Sequence, residues 1–264
     1  MVRRDVQRIV TEHRHIINEA IRAAAPDGTL LYGRGAALRD TIKRELEDLT
    51  RDVHERITLA QTEAWTQGTT LGRDTAVQIF GAGTFNTPGF EVLAYSQRFT
   101  AKLVKSIAAE AMPEIELLIS QVSTGALSMW EAMQKVDKVV GWNGEGGVSY
   151  RAERIVRTET LRISSLATDT QLHSIAKAVS PSARAKLRKT WIAGAWRQGR
   201  RPGHQWMDKQ TVGWDEPFIT GDGNLLLYPR DPAGGAGETI NCMCSFEPDA
   251  DSIEAAIAAS DIAA

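Results

Sequence analysis

The stretch LRDTIKRELEDLTRDVHERITLAQTEA, residues 38–64, decides the fold of the first part of the chain. Its apolar residues recur every three or four positions, at Leu38, Ile42, Leu46, Leu49, Val53, Ile57, Ala60 and Ala64. This spacing places them on one face of an α-helix, whose other faces carry charged residues. The stretch therefore predicts a long helix with one buried side and a solvated outer surface.

Further helices are predicted after a glycine- and proline-rich interruption at residues 81–89. The pattern predicts one helix from Phe90 to about Glu110. A second is expected to begin at Pro113, because proline is well tolerated in the first turn of a helix, and to end near Val122.

A shorter helix is predicted between Ser128 and Val140. Ser128 is followed three residues later by Glu131, which is the spacing of a capping box. In that motif each of the two side chains bonds the backbone N–H of the other residue, so the helix is expected to begin directly after Ser128.

Residues 141–147 contain four glycines, the densest glycine run before the C-terminal part. Glycine weakens helices, so we interpret residues 142–149 as a hinge. The hinge separates a helical N-terminal region, residues 1–141, from a C-terminal domain, residues 150–264.

The C-terminal domain has mixed patterning. A helix is expected to stop at Ser180-Pro181, because the residue before a proline avoids helical geometry. Short runs of β-formers, bounded by Gly, Asp and Pro, then predict strands. The predicted elements are a helix at 150–179, strands at 186–196, 204–214 and 225–229, and a last helix at 253–259. The fold class is therefore α+β, with long helices followed by short antiparallel strands.

Composition limits the function classes. The chain has 264 residues, 42% hydrophobic and 24% charged, which is typical of a globular protein and not of a disordered or fibrous one. Its two cysteines, Cys242 and Cys244, are too close in sequence for a disulfide framework. No 18 apolar residues run together, so we expect no membrane-spanning helix and an intracellular or particle-enclosed location.

Charge is unevenly distributed, although the formal net charge is only -2. Residues 182–203 contain seven basic and no acidic residues, whereas residues 204–264 contain eleven acidic and two basic residues. The seven basic residues, here called the basic block, are Arg184, Lys186, Arg188, Lys189, Arg197, Arg200 and Arg201. Such a block can neutralise phosphates, so double-stranded DNA is a candidate partner. The alternatives are pairing with the acidic segment, docking on an acidic protein, and simple solvation.

Glu159 interrupts an apolar helix face, three residues after Val156 and four before Ile163. A buried glutamate is costly unless a cation or several donors meet it. Arg162 lies within reach at i+3, so we expect Glu159 to join this helix to the C-terminal strands. A catalytic carboxylate is the alternative.

His204, Cys242 and Cys244 are the candidate set of soft metal ligands, and zinc is the candidate ion. Asp208 could supply a fourth ligand. The alternative is that His204 bonds a backbone carbonyl while the cysteines fill the core. The motifs of P-loop NTPases, Ser hydrolases and zinc peptidases are absent from the sequence, so we expect no enzyme of these classes and no other cofactor.

A series of short motifs suggests a family. In order, they are Arg157-Thr-Glu159, Lys189-Thr-Trp191, Arg200 to His204, Met207-Asp-Lys-Gln210, Phe218, Leu227 to Pro232, Glu238 and Asn241-Cys-Met-Cys244. In this order they resemble the C-terminal domain of the phage Mu F-type head morphogenesis, or minor head, proteins. The resemblance covers about Tyr150 to Phe246. Two residues depart from the family pattern: Lys209 replaces a turn glycine, which predicts a different turn, and Met243 replaces an arginine.

The resemblance implies a non-enzymatic virion component of the capsid interior near the portal, present in the host cytoplasm during assembly. The portal protein, other head proteins and packaged DNA are the implied partners, with residues 1–141 as the portal-docking candidate. The motif residues are then expected to define the fold, namely Arg157, Glu159, Trp191, His204, Asp208, Gln210, Asn241, Cys242 and Cys244. A metal-assisted nuclease or toxin-like effector using His204, Asp208, Glu238 and the two cysteines is the alternative.

Overall fold

The computed structural model describes residues 2–26, 30, 33–80, 89–141, 147–194 and 201–259. Long helices occupy its first part and short antiparallel strands its C-terminal part, so the predicted α+β class is confirmed. The predicted hinge falls largely on residues 142–146, which lie outside the described residues.

The chain forms two compact units. We call Met1–Ala60 with Tyr95–Arg157 the helical unit, and Gln61–Ala94 with Thr158–Ala264 the mixed unit. The units divide within helices, after Ala60, Ala94 and Arg157, whereas the sequence analysis placed its single boundary at residues 142–149.

The long helices are α1 (Val2–Ala24), α2 (Arg34–Phe80), α3 (Glu91–Ser123), α4 (Met129–Val140) and α5 (Val148–Ala178). The predicted stripe lies on α2, and every one of its members from Leu38 to Ala64 is buried. In the helical unit, its members Leu38 to Ile57 pack in one core with apolar residues of α1, α3, α4 and α5. The spacing of three or four residues therefore predicted the buried face correctly.

Pro113 lies inside α3, so the prediction of two helices around it is wrong. A proline at this position removes the backbone hydrogen bond to the carbonyl of Ala109. The apolar face continues on both sides, with Ile107 and Ala111 before Pro113 and Ile115 after it, all buried. Burial of this face outweighs the lost hydrogen bond and keeps the helix continuous.

The capping box of α4 is confirmed. The Ser128 hydroxyl accepts from the Glu131 N–H at 3.2 Å, and the Glu131 carboxylate accepts from the Ser128 N–H at 3.0 Å. The helix begins at Met129, as the spacing predicted.

The mixed unit adds short elements after α5. They are α6 (Pro181–Arg184), β1 (Arg188–Ile192), α7 (Pro202–Trp206), β2 (Thr211–Gly213), β3 (Phe218–Ile219), β4 (Leu225–Leu226), α8 (Gly235–Thr239), β5 (Ser245–Pro248) and α9 (Ala250–Ala259). The order β2-β1-β5 forms an antiparallel sheet in which Trp191 pairs with Phe246. Strands β3 and β4 form a separate hairpin, with Phe218 opposite Leu226.

The strand predictions need correction. Residues 204–214 are not one strand, because His204 lies on α7 and only Thr211–Gly213 are extended. Pro202 starts this helix, since its fixed backbone angle suits a first helical turn. The strand predicted at 186–196 is β1, which is shorter, and residues 195 and 196 lie outside the described residues.

Among the helices of the described ranges, none is long and apolar enough to cross a membrane.

Candidate metal centre

Trp191 anchors the site from the central strand β1. Burial alternates along β1, so Lys189 and Trp191 point into the mixed unit. The indole contacts the His204 ring edge-on at 5.7 Å between centroids, and the Phe218 ring at 5.2 Å. These contacts place α7 and the β3–β4 hairpin around one buried aromatic side chain.

His204 faces both cysteines with one nitrogen of its ring. Its Nδ1 lies 3.5 Å from the Cys242 sulfur and 3.7 Å from the Cys244 sulfur. The opposite nitrogen, Nε2, lies 2.5 Å from a carboxylate oxygen of Glu238. Both ring nitrogens of His204 thus face side chains, so the alternative in which His204 bonds a backbone carbonyl is wrong.

The cysteines reach the site from the segment between α8 and β5. Side chains alternate along this extended segment, so Cys242 and Cys244 are buried while Met243 is 45% exposed. Asn241 precedes them with a φ of +58°, and its N–H donates to the Thr158 hydroxyl at 3.1 Å. This contact joins the segment to α5.

The three side chains fit three of the four ligand positions around a tetrahedral zinc ion. One ligand atom from each of His204, Cys242 and Cys244 lies within 4.8 Å of the others, and all three residues are buried. With Zn–S of about 2.3 Å and Zn–N of about 2.0–2.1 Å, an imidazole nitrogen and a thiolate sulfur should lie about 3.6 Å apart. The observed 3.5 and 3.7 Å match this separation. The cluster is thus a candidate metal site, as predicted.

Arg230 is a buried cation beside the two cysteines. Its guanidinium donates to the backbone oxygens of Cys242 and Cys244, at 3.0 and 2.8 Å, and to the Ser165 hydroxyl at 2.5 Å. It therefore holds the cysteine segment against α5. Burial lowers the pKa of Arg230, while the charge of the cysteines opposes that shift.

Electrostatics favour one thiolate in the metal-free site. The hydrogen bond from Cys244 lowers the pKa of Cys242 to about 4, against burial, with help from His204 and Arg230. The same hydrogen bond, together with burial, raises the pKa of Cys244. Burial lowers the pKa of His204, but Cys242 and Glu238 outweigh it, so the pKa is raised overall. A thiolate is the form that binds metal, so the site is prepared for a cation.

Asp208 does not join this cluster in the described structure. Its carboxylate accepts from the Ala193 N–H at 2.9 Å, and its side chain is exposed. The prediction that Asp208 supplies a fourth ligand therefore fails here. Its contact with Ala193 instead holds the chain that follows β1. Lys209 and Gln210, in the same turn as Asp208, also bond the backbone of Trp191 on β1.

Lys209 holds a φ of +64°, in the left-handed region that favours glycine. The turn thus has a backbone conformation that favours glycine, although lysine occupies this position. The amide of neighbouring Gln210 bonds both backbone groups of Ile219, at 2.8 and 3.1 Å. Gln210 therefore acts as a fold-defining residue, joining the turn to β3.

Glu159 is buried and ion-paired with Arg162 of the same helix, as predicted at i+3. Thr158, Ser165, Asp169 and His173 of α5 contact the C-terminal segments. Arg157, the other helix residue of the motif, pairs with Glu153 at 2.5 Å.

The described members of the basic block have different surroundings. Arg184 forms a bidentate pair with Asp215 at 2.8 to 3.0 Å, which is the predicted alternative of pairing with the acidic segment. Arg201 donates to the Ile240 carbonyl at 2.7 Å. Lys186 and Arg188 are exposed. Arg197 and Arg200 lie outside the described residues.

Lys189 cannot contact a phosphate in this fold, so its assignment to a contact surface is wrong. It is 1% exposed, and its ammonium donates to the Leu227 carbonyl at 2.7 Å and lies 3.9 Å from Asp169. Burial lowers the pKa of Lys189 and raises that of Asp169. The alternation of side chains along β1 could have predicted this burial, because Lys189 lies on the same inward face as Trp191.

The sequence analysis assigned no role next to the metal ligands to two residues of the site, Arg230 and Glu238. Arg230 lies in the Leu227–Pro232 motif, and Glu238 was considered only as part of a nuclease site. No spacing rule connects either residue to His204 or the cysteines, because the contacts arise from tertiary packing.

The fold and site define an α+β chain with a candidate His-Cys-Cys metal centre. No family model and no solved structure matches the chain. The uncharacterized protein YqbB of Bacillus subtilis (strain 168) is 35% identical over 103 residues, covering 39% of this chain. The matched part is 32% of YqbB, so the chain spans about a third of that relative's length.

Proposed function

We propose that this chain is a phage minor head protein that associates with the portal and acts in head morphogenesis without enzymatic activity. The observation that carries the proposal is the order of the motifs between Arg157 and Cys244, joined to the contacts their residues make. Trp191, Gln210 and Asn241 all connect segments of the mixed unit. A signature built from such residues describes a fold and not an open catalytic pocket.

In this proposal the protein resides in the capsid interior near the portal, after assembly in the host cytoplasm. The portal and other head proteins are its partners, and residues 1–141 are the portal-docking candidate. Mass spectrometry of purified particles and a pull-down on portal rings test the proposal. We expect the chain in particles and on the rings; its absence from particles together with no portal binding would contradict it.

Zinc is the ion we propose for the metal centre, with a structural role. His204, Cys242 and Cys244 would hold it, joining α7 to the segment before β5. When bound, zinc would supply a fixed crosslink to this small unit. Metal analysis should find one zinc per chain, and Cys242→Ser should remove it. A wild-type protein that takes up no zinc would contradict the assignment.

DNA contact is proposed for the exposed part of the basic block. Lys186 and Arg188 carry the argument, because each is exposed and neither forms an ion pair with another described residue. The double variant Lys186→Ala/Arg188→Ala should reduce the slope of log affinity against log salt by about two. Lys102→Ala/Lys105→Ala, on α3, is the matched control. An unchanged slope, or no DNA binding at low salt, would remove this role.

The nuclease alternative uses His204, Asp208, Glu238 and the two cysteines in metal-assisted chemistry. Asp208 instead bonds the Ala193 N–H, and Glu238 bonds His204 on the side opposite to the cysteines. This arrangement favours the structural role. A plasmid-nicking assay on the zinc-loaded protein separates the two, because cleavage that is lost in His204→Ala would overturn the non-enzymatic proposal.

A further inference from the structure

The imidazole of His204 has one orientation that suits metal binding. Its Nδ1 faces Cys242 and Cys244 at 3.5 and 3.7 Å, so this nitrogen must carry the lone pair if an ion is to bind there. The proton of a neutral imidazole must then sit on Nε2. The ring needs an acceptor on that side to hold this tautomer.

Glu238 supplies the acceptor. Its carboxylate oxygen Oε2 lies 2.5 Å from Nε2, and both residues are buried. A carboxylate only accepts, so Nε2 donates to it, and a neutral imidazole in this position keeps its lone pair on Nδ1. The hydrogen bond also makes the ring nitrogen on the opposite side a stronger ligand.

Glu238 is itself held in place. Its second oxygen, Oε1, accepts from the side-chain amide of Asn224 at 2.9 Å. The Trp191 indole meets the His204 ring at an interplanar angle of 82°, which limits rotation of the ring. The imidazole is therefore fixed by a chain of contacts from Asn224 through Glu238, and by Trp191.

We infer that Glu238 is a positioning residue of the metal centre, which sets the tautomer and orientation of His204 and which Asn224 supports from behind. The inference rests on the proposed zinc centre. Glu238 does not touch the ion in this arrangement; it acts through His204. Its role explains why a buried carboxylate lies beside a histidine that already faces two cysteines.

The test is a zinc titration against a chromophoric chelator at pH 8, where proton competition for the ligands is small. Glu238→Ala should weaken zinc binding by roughly 10- to 100-fold, the usual cost of losing such a partner. Glu238→Gln keeps an acceptor oxygen and should recover part of the loss. Asn224→Ala should weaken binding less than Glu238→Ala. The control is Glu254→Ala, which removes an exposed carboxylate on α9 and should leave affinity unchanged.

Nitrogen-15 NMR of the His204 ring in the zinc-loaded protein distinguishes the loss of ring positioning from a general structural effect of the substitution. The wild type should show a protonated Nε2 and a metal-bound Nδ1, and Glu238→Ala should lose the protected Nε2–H signal. Wild-type zinc affinity in Glu238→Ala, with an unchanged ring spectrum, would overturn the positioning role while leaving the zinc centre intact. A wild type that binds no zinc would instead overturn the centre itself.

Discussion

At the scale of single residues, Arg230 is the least replaceable member of the site. It is 3% exposed, has a φ of +68°, and donates to two backbone oxygens and a hydroxyl. Few side chains could make all three contacts, because they use the planar fork of a guanidinium. Arg230 thus joins the cysteine segment to α5 through hydrogen bonds that burial makes costly to lose.

We expect Arg230→Met to lower the free energy of unfolding by about 2–4 kcal/mol, because it leaves buried backbone oxygens without donors. Arg230→Lys should recover little of this loss, since an ammonium cannot span the same acceptors. Urea unfolding of the two variants measures the effect. A loss below about 0.5 kcal/mol in Arg230→Met, typical of a surface change, would show that these hydrogen bonds contribute little.

At Lys209, by contrast, we expect a substitution to raise the free energy of unfolding. A non-glycine residue at φ +64° is strained by about 1–2 kcal/mol, whereas glycine adopts this conformation freely. Part of that gain is offset because glycine has more freedom in the unfolded chain. Lys209→Gly should therefore raise stability by about 0.5–1 kcal/mol, measured by thermal unfolding. Lys209→Ala, which keeps a Cβ atom, is the control and should not stabilise.

At the scale of secondary structure, sequence periodicity and local motifs correctly predicted the buried face of α2 and the start of α4. The α2 stripe and the α4 capping box depend on residues within one helix, so spacing alone located them. The helix start predicted at Pro113 was wrong, because burial of the apolar face of α3 outweighs the local helix-breaking effect of proline. The helix α1 was not predicted, although Val6, Val10, Ile17 and Ile21 are buried along one of its faces.

In the candidate site, too, residues could be named from their own chemistry, whereas contacts that form by tertiary packing could not be predicted. His204, Cys242 and Cys244 could be named because their chemistry is rare in this sequence. The roles of Glu238 and Arg230, and the burial of Lys189, arise where elements distant in sequence pack together. Asp208 was named as a possible fourth ligand because it follows His204 by four residues, but α7 ends at Trp206 and the Asp208 side chain is exposed.

The capping box gives a pH prediction. Hydrogen bonds from the Ser128 hydroxyl and backbone lower the pKa of Glu131 below its ordinary value of 4.5. A lowered pKa in the folded state means that the carboxylate stabilises α4 fully above pH 4.5. This stabilisation is lost as the pH falls through the folded-state pKa.

Ser128→Ala should cost about 1 kcal/mol near neutral pH and bring the pKa of Glu131 back towards its ordinary value. An NMR titration of Glu131 in both proteins measures the shift, and unfolding at pH 7 measures the cost. An unchanged pKa in the variant would mean that the Ser128 hydroxyl does not hold the carboxylate.

At the scale of the whole molecule, the small net charge results from two segments of opposite sign. Part of this opposition is resolved within the mixed unit, where Arg184 of the basic block pairs with Asp215 of the acidic segment. Lys189 of the basic block is buried and lies near Asp169 of α5. The surface available for phosphate is therefore smaller than the sequence suggested, and among the described members it centres on Lys186 and Arg188. This narrows the proposed DNA contact to a specific pair of residues.

The two compact units also carry different parts of the proposed function. The helical unit contains a groove of about 750 Å³ between α2 and α3, lined by Ala101, Val104 and Met112 among others. The mixed unit contains the motifs and the candidate metal centre. Portal binding and metal binding are thus expected to be separable, so Cys242→Ser should remove zinc without abolishing capture on portal rings.

The central claim is that His204, Cys242 and Cys244 hold one zinc ion that fastens the mixed unit. X-ray absorption at the zinc edge of the purified, zinc-loaded chain tests it most directly. We predict one zinc per chain with two sulfur neighbours at about 2.3 Å and a nitrogen neighbour at about 2.0–2.1 Å, and loss of the zinc signal in Cys242→Ser. A shell of nitrogen and oxygen alone, or a spectrum that Cys242→Ser leaves unchanged, would contradict the account.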